Sequence, residues 1–368
     1  MLELGYLETP TVVVDMNKVR ANLKGMKEIV AASGCMLRPH VKTHKITELA
    51  RLQLEYGANG ITCAKVSEAE VMADGGIRDI FIAYPLVGDF RIRRAVELSR
   101  RTRLILAVDS FDGAKALSDA AVNAGICLEV RLEVDTGLRR TGVPYHKASD
   151  LAGSIAKLPG LKLTGIFTFR GLIYDGKPTN DNSAAGRQEG EMLAALAVKL
   201  RGQGLDIREV SGGSSPTGKY VAGVQGVTEV RPGTYIFQDF MQVKEGACTE
   251  DECAAFVLAT VVSTPDDGYA IVDGGSKTYG TDFQINTAPF YHEGYGYVAG
   301  NPDLVLSRVN EEHGIVTSKS GCTGLKVGQR ICITPVHICS TVNLHNHIWL
   351  MEGDQLRKVR VDARGMLV

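Results

Sequence analysis

The chain opens on a short apolar, β-branched run, Thr11 to Val14. From about Asn17 to Ala32 a second stretch sets Val19, Leu23, Met26 and Val30 on one face at helical spacing. Short apolar runs then recur, each followed by an amphipathic stretch: Met36–Lys42, Gly60–Lys65, Asp79–Tyr84, Leu104–Asp109, Leu128–Asp135, Leu163–Phe169, Ile207–Ser211 and Val227–Tyr235. Repeats of this kind, with near-continuous apolar strands, predict parallel pairing buried on both faces. Closed, the set is a (β/α)8 TIM-type barrel, and roughly 200 residues is its usual size. Open, it is a doubly wound sheet, but no G-x-G-x-x-G follows an early strand.

After about Lys244 the texture changes. Phe256–Thr264, Tyr269–Asp273, Gly314–Ser318, Arg330–Val336, His347–Glu352 and Lys358–Val361 read as strands joined by Gly- and Pro-containing turns, with no helix-length pattern between them. The expected organisation is α/β: a barrel over residues 15–243, and a mainly antiparallel β-domain built from residues 1–14 and 244–368.

Composition narrows the function classes. The 368 residues carry a formal charge of −1, which points to neither nucleic acid nor a membrane surface. Hydrophobic residues make up 44%, enough to bury a sizeable core. No apolar run approaches the roughly 18 residues that span a bilayer. The opening Met1-Leu2-Glu3-Leu4-Gly5 lacks the basic start of a signal peptide. The 8 cysteines are scattered without a CxxC pair, as expected of reduced thiols in a cytoplasmic protein.

Active sites of such barrels sit at the C-terminal ends of the strands. The first strand runs into Arg38-Pro39-His40-Val41-Lys42-Thr43-His44-Lys45. A desolvated lysine at a barrel mouth can form a Schiff base; taken by itself, Lys42 is better read as paired to a carboxylate at the rim. After the seventh strand comes Ser211-Gly212-Gly213-Ser214-Ser215-Pro216-Thr217-Gly218. Glycines there let backbone N–H groups approach an anion, and the loops after strands seven and eight are the common phosphate site of these barrels. The eighth strand gives Arg231, placed to reach a ring nitrogen or an anion, or to pair with Asp135 or Glu133, and Gly233, whose backbone can contact phosphate. A lysine on one side and a phosphate cradle on the other fit pyridoxal 5′-phosphate. In His337-Ile338-Cys339, positions i and i+2 of a strand would face one way. Imidazole and thiolate would then converge as two ligands of an open catalytic metal site, or as inert core residues.

These strings resemble the fold-type III, alanine-racemase-like pyridoxal-phosphate enzymes, and within them the D-threonine aldolase and D-serine dehydratase family. The matching segments are Leu7-Glu8-Thr9-Pro10-Thr11, Arg38 to Lys45, Lys65-Val66-Ser67-Glu68-Ala69, Val134-Asp135-Thr136-Gly137, Ser211-Gly212-Gly213, Pro232-Gly233-Thr234-Tyr235, Asn310-Glu311-Glu312-His313-Gly314 and Pro335-Val336-His337-Ile338-Cys339. They run over nearly the whole chain. The resemblance implies that Lys42, not Lys45, carries the cofactor. It also implies that His40, Arg140, Tyr174, Ser211, Gly212, Gly213, Ser214, Arg231, Gly233, Thr234 and Tyr235 contact the cofactor, and that His337 and Cys339 bind a divalent metal, zinc or manganese. A thiolate favours a zinc-like ion. His345 and His347 are expected to be structural or to support the metal ligands from behind.

The implied activity is metal-assisted cleavage of a 3-hydroxy D-amino acid by a homodimer. One route is retro-aldol, to glycine and an aldehyde. The other removes the Cα proton through Lys42, expels hydroxide and ends in a 2-oxo acid and ammonia. Two positions depart from the family. Thr168-Phe169-Arg170-Gly171 stands where aldolases carry Tyr-His-Gly, and Arg170 cannot act as that base; it is expected either to bind an acidic substrate group or phosphate, or to sit in a plain surface or barrel ion pair. Arg231 resembles the arginine by which alanine racemases keep the pyridine nitrogen unprotonated. A racemase would need a second base such as Tyr291, Tyr295 or Tyr297, and a non-catalytic cofactor carrier would lack the metal pair.

Overall fold

The computed structural model describes residues 4–368. The chain divides into two compact units. One is Gly25–Gly233 with Gly365–Val368; the other joins the residues up to Lys24 with Thr234–Arg364. Two of the three cuts, after Lys24 and after Gly233, fall inside the 15–243 span expected for the barrel, and the third, after Arg364, falls in the span expected for the β-domain. Among the described residues no helix is long and apolar enough to cross a membrane.

The first unit is built on eight parallel strands: Met36–Leu37, Ile61–Cys63, Asp79–Pro85, Arg103–Val108, Leu128–Asp135, Leu161–Phe167, Glu209–Gly212 and Glu229–Val230. From the second strand onwards each pairs with the next, and the eighth pairs with the first. A parallel bridge between His40 and Thr62 joins first to second and closes the ring. The first strand is shorter than expected because Pro39 has no N–H to give. Its ladder continues irregularly, through Arg38 N–H to the Val230 carbonyl (3.0 Å) and His40 N–H to the Pro232 carbonyl (3.0 Å). The chain then tightens into a 3-10 turn, Val41–Thr43. Lys42 therefore sits in a turn beyond the strand, not at the strand's last position.

The barrel interior holds charge as well as apolar rings. Glu229 is fully buried. It takes Arg131 Nη1 at 2.6 Å, Arg38 Nε at 2.8 Å and the Ser211 hydroxyl at 2.6 Å. Burial alone would raise its pKa, but Arg131 and Arg38 hold it well below the usual carboxylate range. The Arg131 guanidinium lies 5.0 Å from the Phe81 ring centroid, and Phe81 meets Phe167 edge-on at 4.9 Å.

Helix Asn182–Gly202 covers the sixth and seventh strands with a stripe of Ala185, Gly186, Glu189, Gly190, Leu193, Leu196, Ala197 and Leu200. Glycine is required on this face. A Cβ at Gly186 would fall 2.8 Å from Tyr220 Cβ, and one at Gly190 would fall 2.7 Å from Val224. Glu189 breaks the apolar stripe. Its carboxylate accepts the Gly213 N–H at 3.0 Å, and burial pushes its pKa up to about 7.

In the second unit six antiparallel strands close on themselves. Ala255–Asp266 pairs with Tyr269–Val272, and the ring continues through Gly314–Ser318, Leu304–Val309, Gly296–Val298 and Arg330–Pro335 back to Ala255–Asp266. The start of the long strand also pairs with Thr11–Asp15, which runs parallel to His347–Glu352 and its hairpin partner Gln355–Arg360. Sequence reading missed the strands Gly296–Val298 and Leu304–Val309, and a seven-residue helix, Ile338–Leu344.

Two predictions follow from the buried acids. Glu229→Gln should cost about 3–5 kcal/mol in denaturant unfolding, because it leaves Arg38 and Arg131 facing a neutral group; a loss near zero would contradict the network. Glu189 has a folded pKa above its ordinary 4.5, so its protonated form favours folding. That contribution is complete below about pH 4.5 and lost as pH rises through about 7. Glu189→Gln should therefore raise the melting temperature at about pH 8 and change it little at about pH 5, and equal shifts at both would count against it.

Candidate active site

In the barrel unit, Lys42 and Lys45 have different fates. Lys45 is buried and its ammonium is committed to Glu68 at 2.7 Å. Lys42 is half-buried, and among the described residues its Nζ has no hydrogen-bond or ion-pair partner. Its Nζ lies over the Phe169 ring, 5.8 Å from the centroid. The Arg140 guanidinium lies over the same ring at 4.8 Å. His40 Nδ1 accepts the Lys42 backbone N–H at 3.3 Å. Burial and the cations Lys42, Arg231, Lys45 and Arg140 push the His40 pKa well down, so the ring is neutral.

Arg231 does not pair with Asp135 or Glu133. Its Nη1 donates to the Ser211 hydroxyl and its Nη2 to the Thr168 carbonyl, both at 2.6 Å. Burial lowers its pKa to about 10, with Glu229 opposing. Glu133 is instead held by the Thr141 hydroxyl at 2.8 Å, and Asp135 takes the N–H groups of Gly137 and Arg139.

The loop after the seventh strand is tight. Gly213 has φ +77°, and a Cβ there would meet Gly218 Cα at 3.0 Å. A Cβ on Gly212 would meet Leu193 at 2.9 Å. Ser214 N–H donates to Thr217 Oγ1 at 3.0 Å, and the two hydroxyls lie 2.9 Å apart. At Gly233 a Cβ would fall 3.2 Å from His40 Cβ and 3.3 Å from Thr43 Oγ1. A partnerless amine, a neutral imidazole beside it and glycine-lined backbone at both loops suit a group with a carbonyl at one end and phosphate at the other.

Arg170 departs from expectation. It is 3% exposed. Its Nη2 donates to the Gln188 side-chain oxygen, its Nη1 lies 3.3 Å from the Met192 sulfur, and its buried Nε has no partner. The guanidinium is thus turned to helix Asn182–Gly202, and little of it is left for a substrate; Phe169 is the residue that faces Lys42. Tyr174 is 42% exposed on a two-strand hairpin, Ile173–Tyr174 with Lys177–Pro178. Tyr235 is buried and lies in the 3-10 turn Thr234–Ile236.

In the second unit the strand carrying Arg330 ends at Pro335, so His337-Ile338-Cys339 is not extended as expected. His337 is the N-cap of helix Ile338–Leu344 and Cys339 lies in its first turn. The two side chains nevertheless hydrogen-bond to each other. Cys339 Sγ is also 3.5 Å from Thr234 Oγ1. Burial would lower the His337 pKa, but the Cys339 sulfur and the Asp282 carboxylate raise it to about 11. Asp282 is correspondingly held down at about 2. Asp239, fully buried, accepts the Ile338 N–H at 3.0 Å. One thiolate, one imidazole and no third ligand among the described residues suit a divalent cation with open positions. His345 is engaged with the Thr278 carbonyl at 3.2 Å, and His347 is exposed.

Phe169, Glu189, Asp239 and Asp282 were not singled out from the sequence as site residues. Of these, only Glu189 left a signal, as a carboxylate on the buried stripe of a helix.

Comparison with known proteins places this geometry. Two family models match, one described as alanine racemase, N-terminal domain, over residues 14–239, the other as a putative serine dehydratase domain, over residues 254–351. The chain is 31% identical to the D-threonine aldolase of an Arthrobacter sp, across 98% of this chain and 94% of that protein. It is 35% identical to the D-threo-3-hydroxyaspartate dehydratase of Delftia sp. (strain HT23), across 91% and 92% respectively. The crystal structure of D-threonine aldolase from Filomicrobium marinum matches with a TM-score of 0.87 at 27% identity, covering 99% of this chain and 98% of that one. With its closed parallel barrel, its antiparallel β-unit and matches over nearly its full length, the chain belongs to the D-threonine aldolase and D-serine dehydratase family of alanine-racemase-like, pyridoxal-phosphate-dependent lyases.

Proposed function

We propose that this chain is a pyridoxal-phosphate- and metal-dependent lyase of 3-hydroxy D-amino acids, cleaving them in the manner of D-threonine aldolase to glycine and an aldehyde. The observation that carries the reading is the contrast between the two neighbouring lysines: Lys45 is spent on Glu68, and Lys42 offers a free amine.

Lys42 would hold the cofactor aldehyde. Ser211, Gly212, Gly213 and Ser214, with Gly233, Thr234 and Tyr235, would hold its phosphate, and His40, Arg140, Arg231 and Tyr174 would surround its ring. When bound, the cofactor supplies a conjugated ring that withdraws electrons from the substrate's Cα. Arg231 is a cation fixed on Ser211 and Thr168, so it gives no proton to a ring nitrogen and keeps that sink modest. His337 and Cys339 would hold the metal, whose chemistry is Lewis acidity at the 3-hydroxyl. The thiolate favours zinc over manganese. A cysteine variant of a D-threo-3-hydroxyaspartate dehydratase has been solved in a metal-free form, which supports metal binding in the family.

A second reading, expulsion of the 3-hydroxyl followed by hydrolysis of the released enamine to a 2-oxo acid and ammonia, is favoured by Arg170. No base stands there to take the 3-hydroxyl proton, whereas Lys42 can take the proton from Cα. Retro-aldol cleavage would need a base other than Arg170, and an acidic substrate would reach that guanidinium only by displacing Gln188. The family resemblance supports a homodimer, and the free cysteines support a reducing, cytoplasmic setting.

Borohydride reduction of the cofactor-loaded protein should fix a phosphopyridoxyl group on the peptide containing Lys42. Lys42→Ala should lose this attachment, with turnover falling on the order of 10³-fold or more. A label on Lys45, or none, would refute the assignment.

A further inference from the structure

The segment before Asp282 packs closely on helix Ile338–Leu344. Gly280 N–H donates to Thr341 Oγ1 at 3.0 Å, and a Cβ on Gly280 would fall 2.7 Å from Ser340 Cβ. That approach brings the Asp282 carboxylate to His337 Nδ1, at 2.9 and 3.0 Å for its two oxygens. The Ser340 hydroxyl donates to the same carboxylate at 2.6 Å and lies 3.0 Å from Nδ1. One ring nitrogen is therefore fully engaged, and Nε2 is left for the Cys339 side.

We infer that Asp282 is a positioning residue for the metal: by accepting a hydrogen bond from Nδ1–H it keeps that proton on Nδ1 and fixes the His337 ring orientation, so that Nε2, once a metal displaces its proton, presents its lone pair beside the Cys339 sulfur. The inference rests on the metal reading given above and adds to it the group that makes His337 a competent ligand. A carboxylate behind a ligating imidazole both orients the ring and raises its basicity, and loss of such a partner typically weakens metal affinity by about 10- to 100-fold. Ser340 holds the carboxylate in place, and Asp239, through the Ile338 N–H, fixes the backbone between the two ligands.

The test is a cobalt(II) titration of the metal-free full chain, followed by the thiolate-to-cobalt charge-transfer band, a signal that requires Cys339 at the metal. Asp282→Ala should lower cobalt affinity by about 10- to 100-fold, with the band still forming at saturation and the metal-free protein still folded. Asp282→Asn, whose amide oxygen can still accept from Nδ1–H, should lose less. Wild-type affinity in Asp282→Ala would overturn the role of Asp282 and leave the metal reading standing. Absence of the band in the wild-type chain would overturn both.

Discussion

The buried carboxylate of Glu229 organises the barrel. It lies on the eighth strand and receives Arg38 from beyond the first, Arg131 from the fifth and Ser211 from the seventh. Ser211 in turn receives Arg231. Four points of the ring are thus tied to one anion, and the last tie leads to a cation at the strand ends. Buried charges of this density persist only when each is matched. The arrangement therefore fixes which strands neighbour one another, and it orients Arg231 without giving it a carboxylate of its own.

The strands of the barrel were largely legible in the sequence, because parallel strands buried on both faces leave continuous apolar runs. Leu128–Asp135 has the bounds that its pattern gives. The first and eighth strands were read too long. Pro39, Pro232 and Gly233 interrupt regular pairing there while single hydrogen bonds carry the ladder on. Helix Ile338–Leu344 was not legible: Ile, Thr and Val are modest helix formers. What holds it is tertiary, namely Asp239 accepting the Ile338 N–H. The strands Gly296–Val298 and Leu304–Val309 were lost among glycines and loops.

The site was legible where chemistry leaves a dense string. Arg38 to Lys45 pointed to Lys42, the lysine proposed above to hold the cofactor, and the structure shows how it differs from its neighbour: Glu68 takes Lys45. Arg170 was left between a substrate or phosphate contact and an ion pair, because sequence cannot say which way a residue at a strand end turns. Phe169 faces Lys42, and Arg170 is bound to the covering helix. The convergence of His337 and Cys339 was anticipated for the wrong geometric reason, a strand in place of a helix N-terminus.

The two chemistries proposed for this chain, an amine for a carbonyl cofactor and a sulfur–imidazole pair for a metal, lie one in each compact unit, and neither distinguishes cleavage of the Cα–Cβ bond from loss of the 3-hydroxyl. The products do. The most direct measurement is mass-spectrometric identification of what the chain, loaded with pyridoxal phosphate and zinc or manganese, makes from D-threonine, D-serine and D-threo-3-hydroxyaspartate. The account predicts lyase products, with glycine and acetaldehyde from D-threonine; a 2-oxo acid with ammonia would select the second route through the same residues. Formation of an epimerised amino acid alone, with no bond to Cβ or its hydroxyl broken, would contradict it.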